Sequence, residues 1–301
     1  MAFSLSHLRA FVALAEWRSV SRAAAELGVS QPAVSKSLRA LERALGVPLV
    51  VTMHHGVRLT EAGEVLLVHA RAIVGAVQSA EDDVTGFRTA ARGTLRIAAS
   101  TTIARYIVPG LLHEFLRRHP DVPVRLESMH SRFVTRLLLE REVDVALVEA
   151  VVRHPRIRVT PWLVDRTVVV AGASHPLARR TRVPVTALAG QLLVVREPGS
   201  GAQAVADAAL RERGVDLKRR IVIDCHEAIK HLLMHGTGIA IMPERAVTEQ
   251  VRHGTLRILP VENWDVRRSF SRLTLLGRRA SAVGRAFEAI LDAPPRLPAA
   301  S

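Results

Sequence analysis

Between Ser19 and Gly46 the chain reads SVSRAAAELGVSQPAVSKSLRALERALG, and no other stretch restricts the fold as tightly. Ser19 stands where a helix N-cap belongs, and the alanines after it favour a short helix that packs closely. Gly28 supplies a stop or a left-handed turn residue. Ser30 is placed to cap a second, longer helix, Pro32 sits in its first turn, and Gly46 ends it. Upstream, Leu5, Leu8, Phe11, Val12 and Ala15 recur at helical spacing. The order is therefore helix, short helix, tight turn, longer helix. On the last helix Val34, Leu38, Leu41 and Leu45 form an apolar stripe, while Gln31, Ser35, Lys36 and Arg39 point away from it. Gln reads adenine, Lys and Arg reach guanine or phosphate, and Ser binds phosphate, as a helix in a major groove requires. A plain solvated face is the alternative for any single polar helix face. The small-residue contact and the glycine turn weigh against it here.

At 301 residues the chain is long for one domain and suggests two or three. Its 49% hydrophobic and 23% charged residues describe a globular protein. The start of the chain fails as a signal peptide, because His7, Arg9 and Glu16 interrupt the apolar run and no basic segment precedes it. No run is long enough to cross a bilayer, and a single cysteine fits a reducing cytoplasm. The formal charge of +14 invites a polyanion, yet residues 1–60 hold only seven Lys/Arg against three Asp/Glu. The excess is spread along the chain, so charge alone does not locate a partner.

Thr60 can cap a further helix, with Glu61 and Glu64 facing its N-terminal dipole. Leu66, Ala70, Ile73, Val77, Ala80, Val84 and Phe87 then follow at alternating steps of four and three. Such a seam either pairs with a second copy or docks on the next domain, and its length favours the pair. From Gly93 strand-like and helix-like segments alternate, which predicts an α/β domain with mainly parallel strands. Ligands of open α/β sheets bind at the carboxyl ends of strands. Polar clusters stand at those ends: Ser100–Thr102, Glu149, Pro198–Gly201 and Cys225–His226–Glu227. Cys225 reads as a small buried residue or, less simply, as a sensing thiol with His226 and Lys230 nearby.

The run AAAELGVSQPAVSKSLRALERALGVPL, with GVRLTEAGEVLL after it, resembles the winged helix-turn-helix of the LysR-type transcriptional regulators. LRIAASTTIARYIVPGLLHEFLRRHPDVPVRLE, DVALVEA, REPGSG and EAIKHLLMHGTGIAIMP are similar to the effector domain of that family, with features of its sulfur-assimilation and carbon-fixation branch. The resemblance implies a winged helix-turn-helix over 1–59 and a linker or dimerisation helix over 60–90. An effector domain over 91–301 follows, built like a periplasmic binding protein. One of its subdomains takes 91–165 with 268–295, and the other takes 166–267. It implies DNA contacts from Ser30, Gln31, Pro32, Ser35, Lys36 and Arg39, with His54, His55 and Arg58 in a wing hairpin. Pairing would run through Leu66, Ala70, Ile73, Val77, Ala80 and Val84. Ser100, Thr101, Thr102, Ser131, Glu149, Ser200, Gly201 and Glu227 would line the effector cleft. Two departures stand out. Thr52 and His55 occupy wing positions where the family commonly has arginine, which predicts a weaker or pH-sensitive wing contact. Ala202–Gln203 replaces the Thr-Arg that often follows REPGSG, removing a hydroxyl and a cation and pointing to a ligand other than a small oxyanion.

The expected protein is a cytoplasmic homodimer or homotetramer that binds a dyad-symmetric operator in double-stranded DNA and answers to a small, possibly anionic, effector. RNA polymerase is a further expected partner, and no cofactor, metal or membrane is expected. A cytoplasmic small-molecule sensor without specific DNA regulation is the alternative. An enzyme is disfavoured, since no nucleophile elbow, metal-ligand spacing or phosphate loop appears.

Overall fold

The computed structural model describes residues 3–53, 56–86, 93–216, 219–277 and 280–292. The chain divides into two compact units. One comprises Met1–Gly93 with Arg136–Asp144 and Ala280–Val283, and the other comprises the remainder.

The first unit opens with α1 (Leu5–Trp17), α2 (Val20–Leu27) and α3 (Gln31–Leu45). Ser4 accepts from the His7 amide, and His7 Nδ1 accepts from the Ser4 amide, so α1 starts in a reciprocal cap. Ser19 caps α2 as expected, accepting from the Arg22 amide. Ser30 occupies the N-cap of α3, but its hydroxyl makes no capping bond, so that expectation fails. Gly28 and Gly46 take left-handed conformations after α2 and α3. Ala23 and Ala24 are buried against Leu14 and Val34, and their small side chains set the close approach of the helices. Glu42 Oε1 accepts from the amides of Leu49 (2.8 Å) and Val50 (3.4 Å), tying α3 to the hairpin that follows.

That hairpin is β1 (Val50–Met53) and β2 (Gly56–Leu59), antiparallel with Val50 opposite Leu59 and Met53 opposite Gly56. His54 and His55, the expected pH-sensitive tip, lie outside the described residues. Gly56 has φ +106°, and a Cβ there would run into the Arg18 carbonyl, while Val57 donates its amide to the same oxygen. Gly56→Ala is therefore expected to destabilise this unit by at least about 2 kcal/mol. Thermal melting of the variant checks this, and an unchanged midpoint would contradict it.

Thr60 Oγ1 accepts from the Gly63 amide and donates to the Pro48 carbonyl, starting α4 (Glu61–Gly86). The expected pairing seam needs correcting at its start. Ala70 is 0% exposed and, with Leu66, packs on Leu8, Phe11, Leu41 and Leu49. The apolar stripe of α1 needs a cover, and α4 supplies it, so these two residues are used inside the chain. Val65 and Val68, outside the expected seam, are exposed, and so is Ile73 within it. Val77 is half-buried and Ala80 exposed; the Val84 side chain and all of Phe87 lie outside the described residues. Arg71, half-buried on α4, faces Glu16 (3.5 Å), Glu140 (3.4 Å) and Glu142 (3.2 Å), which gathers the segment Arg136–Asp144 into this unit.

The second unit begins with β3 (Leu95–Ser100), α5 (Thr101–Tyr106), α6 (Val108–Arg118) and β4 (Val124–Met129). Next come α7 (Ser131–Leu139), whose last turn belongs to the first unit, β5 (Val145–Val148) and the sixteen-residue β6 (Ile157–Gly172). Then follow β7 (Leu192–Val195), α8 (Gly201–Glu212), β8 (Arg219–Val222), α9 (His226–Met234), β9 (Ile239–Pro243), α10 (Glu244–Arg252), β10 (Leu256–Ile258), β11 (Val266–Leu275) and α11 (Ala282–Asp292). One sheet runs in the order β4-β3-β5-β11-β6-β9-β7-β8, with β10 beside β6. Strands β4, β3 and β5 are parallel, as are β9, β7 and β8. Between these halves β11 and β6 are antiparallel to each other and to their outer neighbours, so the sheet is mixed where parallel strands were expected. Two βαβ lobes thus share a pair of long crossing strands. In the second lobe Val168, Val194 and Met242 fill the layer under α9 and α10, and Val169, Leu193 and Ile241 fill the opposite one.

Candidate DNA-contacting face and effector cleft

The apolar stripe of α3 is spent on the core: Val34 and Leu41 are 1% and 0% exposed. Gln31, Pro32, Ser35, Lys36, Arg39 and Arg43, with Val20 of α2 and Glu42, whose carboxylate is turned to the Leu49 and Val50 amides, line an open groove of about 990 Å³ on the other side. Gln31, Pro32, Lys36 and Arg39 are exposed and Ser35 half-buried. Ser30 is exposed beside them, and its uncapped hydroxyl is free to meet a phosphate. Arg58 is exposed on β2. The face thus combines guanidinium, ammonium, amide and hydroxyl groups on a helix whose back is fixed, which suits base and phosphate contacts.

The expected effector residues stand just past the carboxyl ends of β3, β4, β5, β7 and β8, and Thr102, Glu149 and Gly201 are joined there through Arg268 and the Glu149–Gly201 contact. Ser100 ends β3 fully buried, and its hydroxyl meets no partner among the described residues. Thr101 is half-buried, and Thr102 is 1% exposed with its hydroxyl accepting from Arg268 Nη2 at 3.2 Å. Ser131, 9% exposed, opens α7. Glu149 accepts from Arg268 Nη1 at 2.7 Å and packs against Gly201, where a Cβ would press on the Glu149 side chain. Ser200 caps α8 by accepting from the Gln203 amide. Glu227 is half-exposed and pairs with Lys230 at 2.9 Å.

Two arginines complete the site that sequence reasoning assigned no role. Arg268 on β11 donates to Asp165 Oδ2 through Nε (3.0 Å) and Nη2 (2.8 Å) as well as to Glu149 and Thr102. Arg196, just past β7, forks onto Glu197 (2.7 and 2.9 Å) and donates through Nη1 to His226 Nε2 at 2.9 Å. Glu197 also meets His130 Nε2 at 2.9 Å, and Gly199 packs on the same imidazole. Burial alone would raise the Glu197 carboxyl, but bonds from Arg196 and His130 outweigh it and hold it below the usual value. Gln203, where a cation was missed, is 9% exposed; its Oε1 accepts from the Arg196 amide and its Nε2 donates to Asp207. Buried cations do stand in the candidate cleft, Arg196, Arg268 and Lys230, each paired with a carboxylate.

Cys225 is not buried. It is half-exposed at the N-cap of α9, and the Ala228 amide above all pulls its thiol below the usual value, with the Glu227 amide and Arg105 adding to the effect. Tyr106 is pushed up to about 12, first by burial and then by Glu227, and its hydroxyl meets no partner among the described residues. His226 is 1% exposed, and burial followed by the charge of Arg196 drives it down to about 3 from the ordinary 6.5. Above pH 6.5 the imidazole is neutral folded or unfolded, and its contribution is complete. As pH falls from 6.5 towards 3 only the unfolded chain takes the proton, so stability is lost across that window. The loss is expected to reach a few kcal/mol, on the order of that pKa gap, and to shrink in His226→Asn. Denaturant titrations at pH 7 and pH 4.5 decide it; equal pH slopes in both proteins would refute the assignment.

Among the described residues no cluster of His, Cys, Asp and Glu could hold a metal ion, and no helix is long and apolar enough to cross a membrane.

Residues 5–64 match the model of the bacterial regulatory helix-turn-helix protein, lysR family, and residues 88–293 match the LysR substrate binding domain. The RuBisCO operon transcriptional regulator of Allochromatium vinosum is 31% identical over 298 residues, spanning 99% of this chain and 98% of that protein. Full-length OxyR of Pseudomonas aeruginosa has a similar fold, with a TM-score of 0.75 at 22% identity over 97% of this chain and 94% of that one. The CcmR regulatory domain of Synechocystis PCC6803, solved in complex with 2-PG, gives a TM-score of 0.61 at 28% identity, covering 66% of this chain and 96% of that domain. With both domains matched and a relative alike over its whole length, the chain belongs to the LysR family of DNA-binding transcriptional regulators.

Proposed function

We propose that this regulator works in the cytoplasm, where its DNA is, as a homodimer or homotetramer on a dyad-symmetric operator. Ser30, Gln31, Pro32, Ser35, Lys36 and Arg39 of the α3 region read the major groove, and His54, His55 and Arg58 of the wing reach the backbone or minor groove. The observation that carries this is the groove along α3, in which the polar residues stand together while Val34 and Leu41 are locked in the core. Copies pair along α4, where Val65, Val68 and Ile73 leave apolar surface uncovered, as a two-fold operator requires. A small effector sits at the strand ends lined by Ser100, Thr101, Thr102, Ser131, Glu149, Ser200, Gly201 and Glu227. It acts through its different affinity for two arrangements of the lobes, which the RNA polymerase bound nearby senses. The relative CcmR, whose regulatory domain was solved with 2-PG, supports a small-molecule effector. Fluorescence anisotropy with DNA upstream of the protein's own gene tests the reading. Binding should exceed that to random duplex and weaken as salt rises; equal affinity for both duplexes would overturn it.

A further inference from the structure

The polarity of one group in the effector cleft is fixed by its neighbour. Arg196 is always protonated and can only donate, so His226 Nε2, 2.9 Å from Arg196 Nη1, must accept. The single proton of the neutral ring is therefore on Nδ1. That N–H is buried and finds no acceptor among the described residues. A serine or tyrosine hydroxyl can turn to donate or accept, as Ser100 and Tyr106 are free to do, but this imidazole cannot turn without abandoning Arg196. A buried donor left unmade costs about 1–3 kcal/mol, which a ligand acceptor would remove.

The surroundings select the acceptor's charge. Arg196, Arg268, Arg105 and Lys230 all act on the His226 ring as positive charges. The ring also opens α9, whose positive end faces the same place. Tyr106 packs against the imidazole, with ring centroids 5.9 Å apart, and its hydroxyl has no hydrogen-bond partner among the described residues. A cationic or purely apolar ligand gains nothing from such a spot, whereas an anionic oxygen gains a fixed hydrogen bond in a positive field. The two lobes touch at residues on either side: Glu149 packs on Gly201, His130 on Gly199, and His130 bonds Glu197, which Arg196 links to His226. Entry requires those contacts to part, which gives the ligand a differential hold on two lobe arrangements.

We infer that the His226 Nδ1–H takes one oxygen of an oxyanionic effector, of carboxylate or phosphoryl chemistry, with the neighbouring Tyr106 hydroxyl as an adjustable partner. This rests on the cleft being the effector site, and it restores the small oxyanion that Gln203 seemed to exclude. Because the ring stays neutral far below physiological pH, the donor is present throughout the working range.

The full-length protein is titrated by calorimetry and thermal shift with acetate, inorganic phosphate, sulfate and, as a neutral control, glycerol. At least one oxyanion should bind and raise the melting temperature, and the arm that responds separates carboxylate from phosphoryl chemistry. His226→Gln, which presents its amide towards Arg196 and leaves the Nδ1 position empty, should weaken that probe about 10-fold or more. His226→Asn, whose amide can donate from near the Nδ1 position, should stay within about threefold. Circular dichroism on both variants separates lost binding from lost folding, and the Nδ1–H proton resonance of the wild type should move on titration. Equal affinity in wild type and His226→Gln, stabilisation by glycerol alone, or no response to any probe would each overturn the inference. Failure of the cleft reading would look different: Thr102→Val and Ser200→Ala would then leave oxyanion binding untouched, wherever it occurred.

Discussion

Arg268→Met is expected to cost about 3–5 kcal/mol of folding stability, because it strands Glu149 inside the protein and leaves buried Asp165 only Arg245, at 3.5 Å. The Arg268 side chain is 2% exposed, Asp165 1% and Glu149 6%. In such a place the attraction between Arg268 and the two carboxylates offsets their desolvation only while the guanidinium is present, since Arg245 reaches Asp165 alone. Methionine fills much of the volume over Phe270, whose ring the guanidinium covers at 4.9 Å, so a cavity is not the main effect. Neutralising the orphans should then recover most of the loss: Arg268→Met with Asp165→Asn and Glu149→Gln is expected within about 2 kcal/mol of wild type. Urea unfolding of the three proteins measures both steps. A single-variant loss below about 1 kcal/mol would show that the cluster is better hydrated than its burial implies.

The same cluster shows where the sequence could and could not be read. The DNA-contacting unit was legible because its determinants are local: Ser19 caps within three residues, Ala23 and Ala24 sit one turn from Gly28, and Thr60 caps within three. The Arg268–Asp165 pair joins positions 103 residues apart, and nothing near either one announces it. One signal was available: Val266, Arg268 and Phe270 alternate on one face of β11, and all three are buried, so an arginine sits on the inward row of a strand. Arg196 was passed over for a different reason, since REPGSG directs attention to its glycines and serine. The α4 seam misled because an apolar heptad does not say what covers it; Leu66 and Ala70 are taken by α1, and periodicity cannot distinguish a partner helix of the same chain from a second copy. Ser30 failed as a cap although it has the right residue type in the right place, leaving its hydroxyl to the outer face.

That outer face carries the second large effect. Lys36→Ala and Arg39→Ala are each expected to weaken binding to the protein's own operator about 10- to 100-fold, and for distinguishable reasons. Both side chains are exposed on the face of α3 opposite Leu41, so neither removal disturbs the core and melting should be unchanged. A side chain that meets only phosphate supplies affinity without sequence information. Its loss should weaken operator and random duplex alike and lower the steepness of the salt dependence by about one unit per contact removed. With the pairing proposed above, in which each copy places one α3 on the duplex, a single substitution removes two such contacts, and the change in slope should be about two. A side chain that reaches a guanine instead leaves random-duplex binding nearly intact and erodes the operator preference. Arg39, with the planar fork suited to guanine O6 and N7, is assigned the second behaviour, and Lys36, a compact charge nearer the helix start, the first. Anisotropy titrations of both variants on both duplexes at four salt concentrations resolve the two. If Arg39→Ala lowered the salt slope without narrowing the gap between operator and random duplex, sequence reading would have to be reassigned to Gln31 and Ser35, at the start of the same helix.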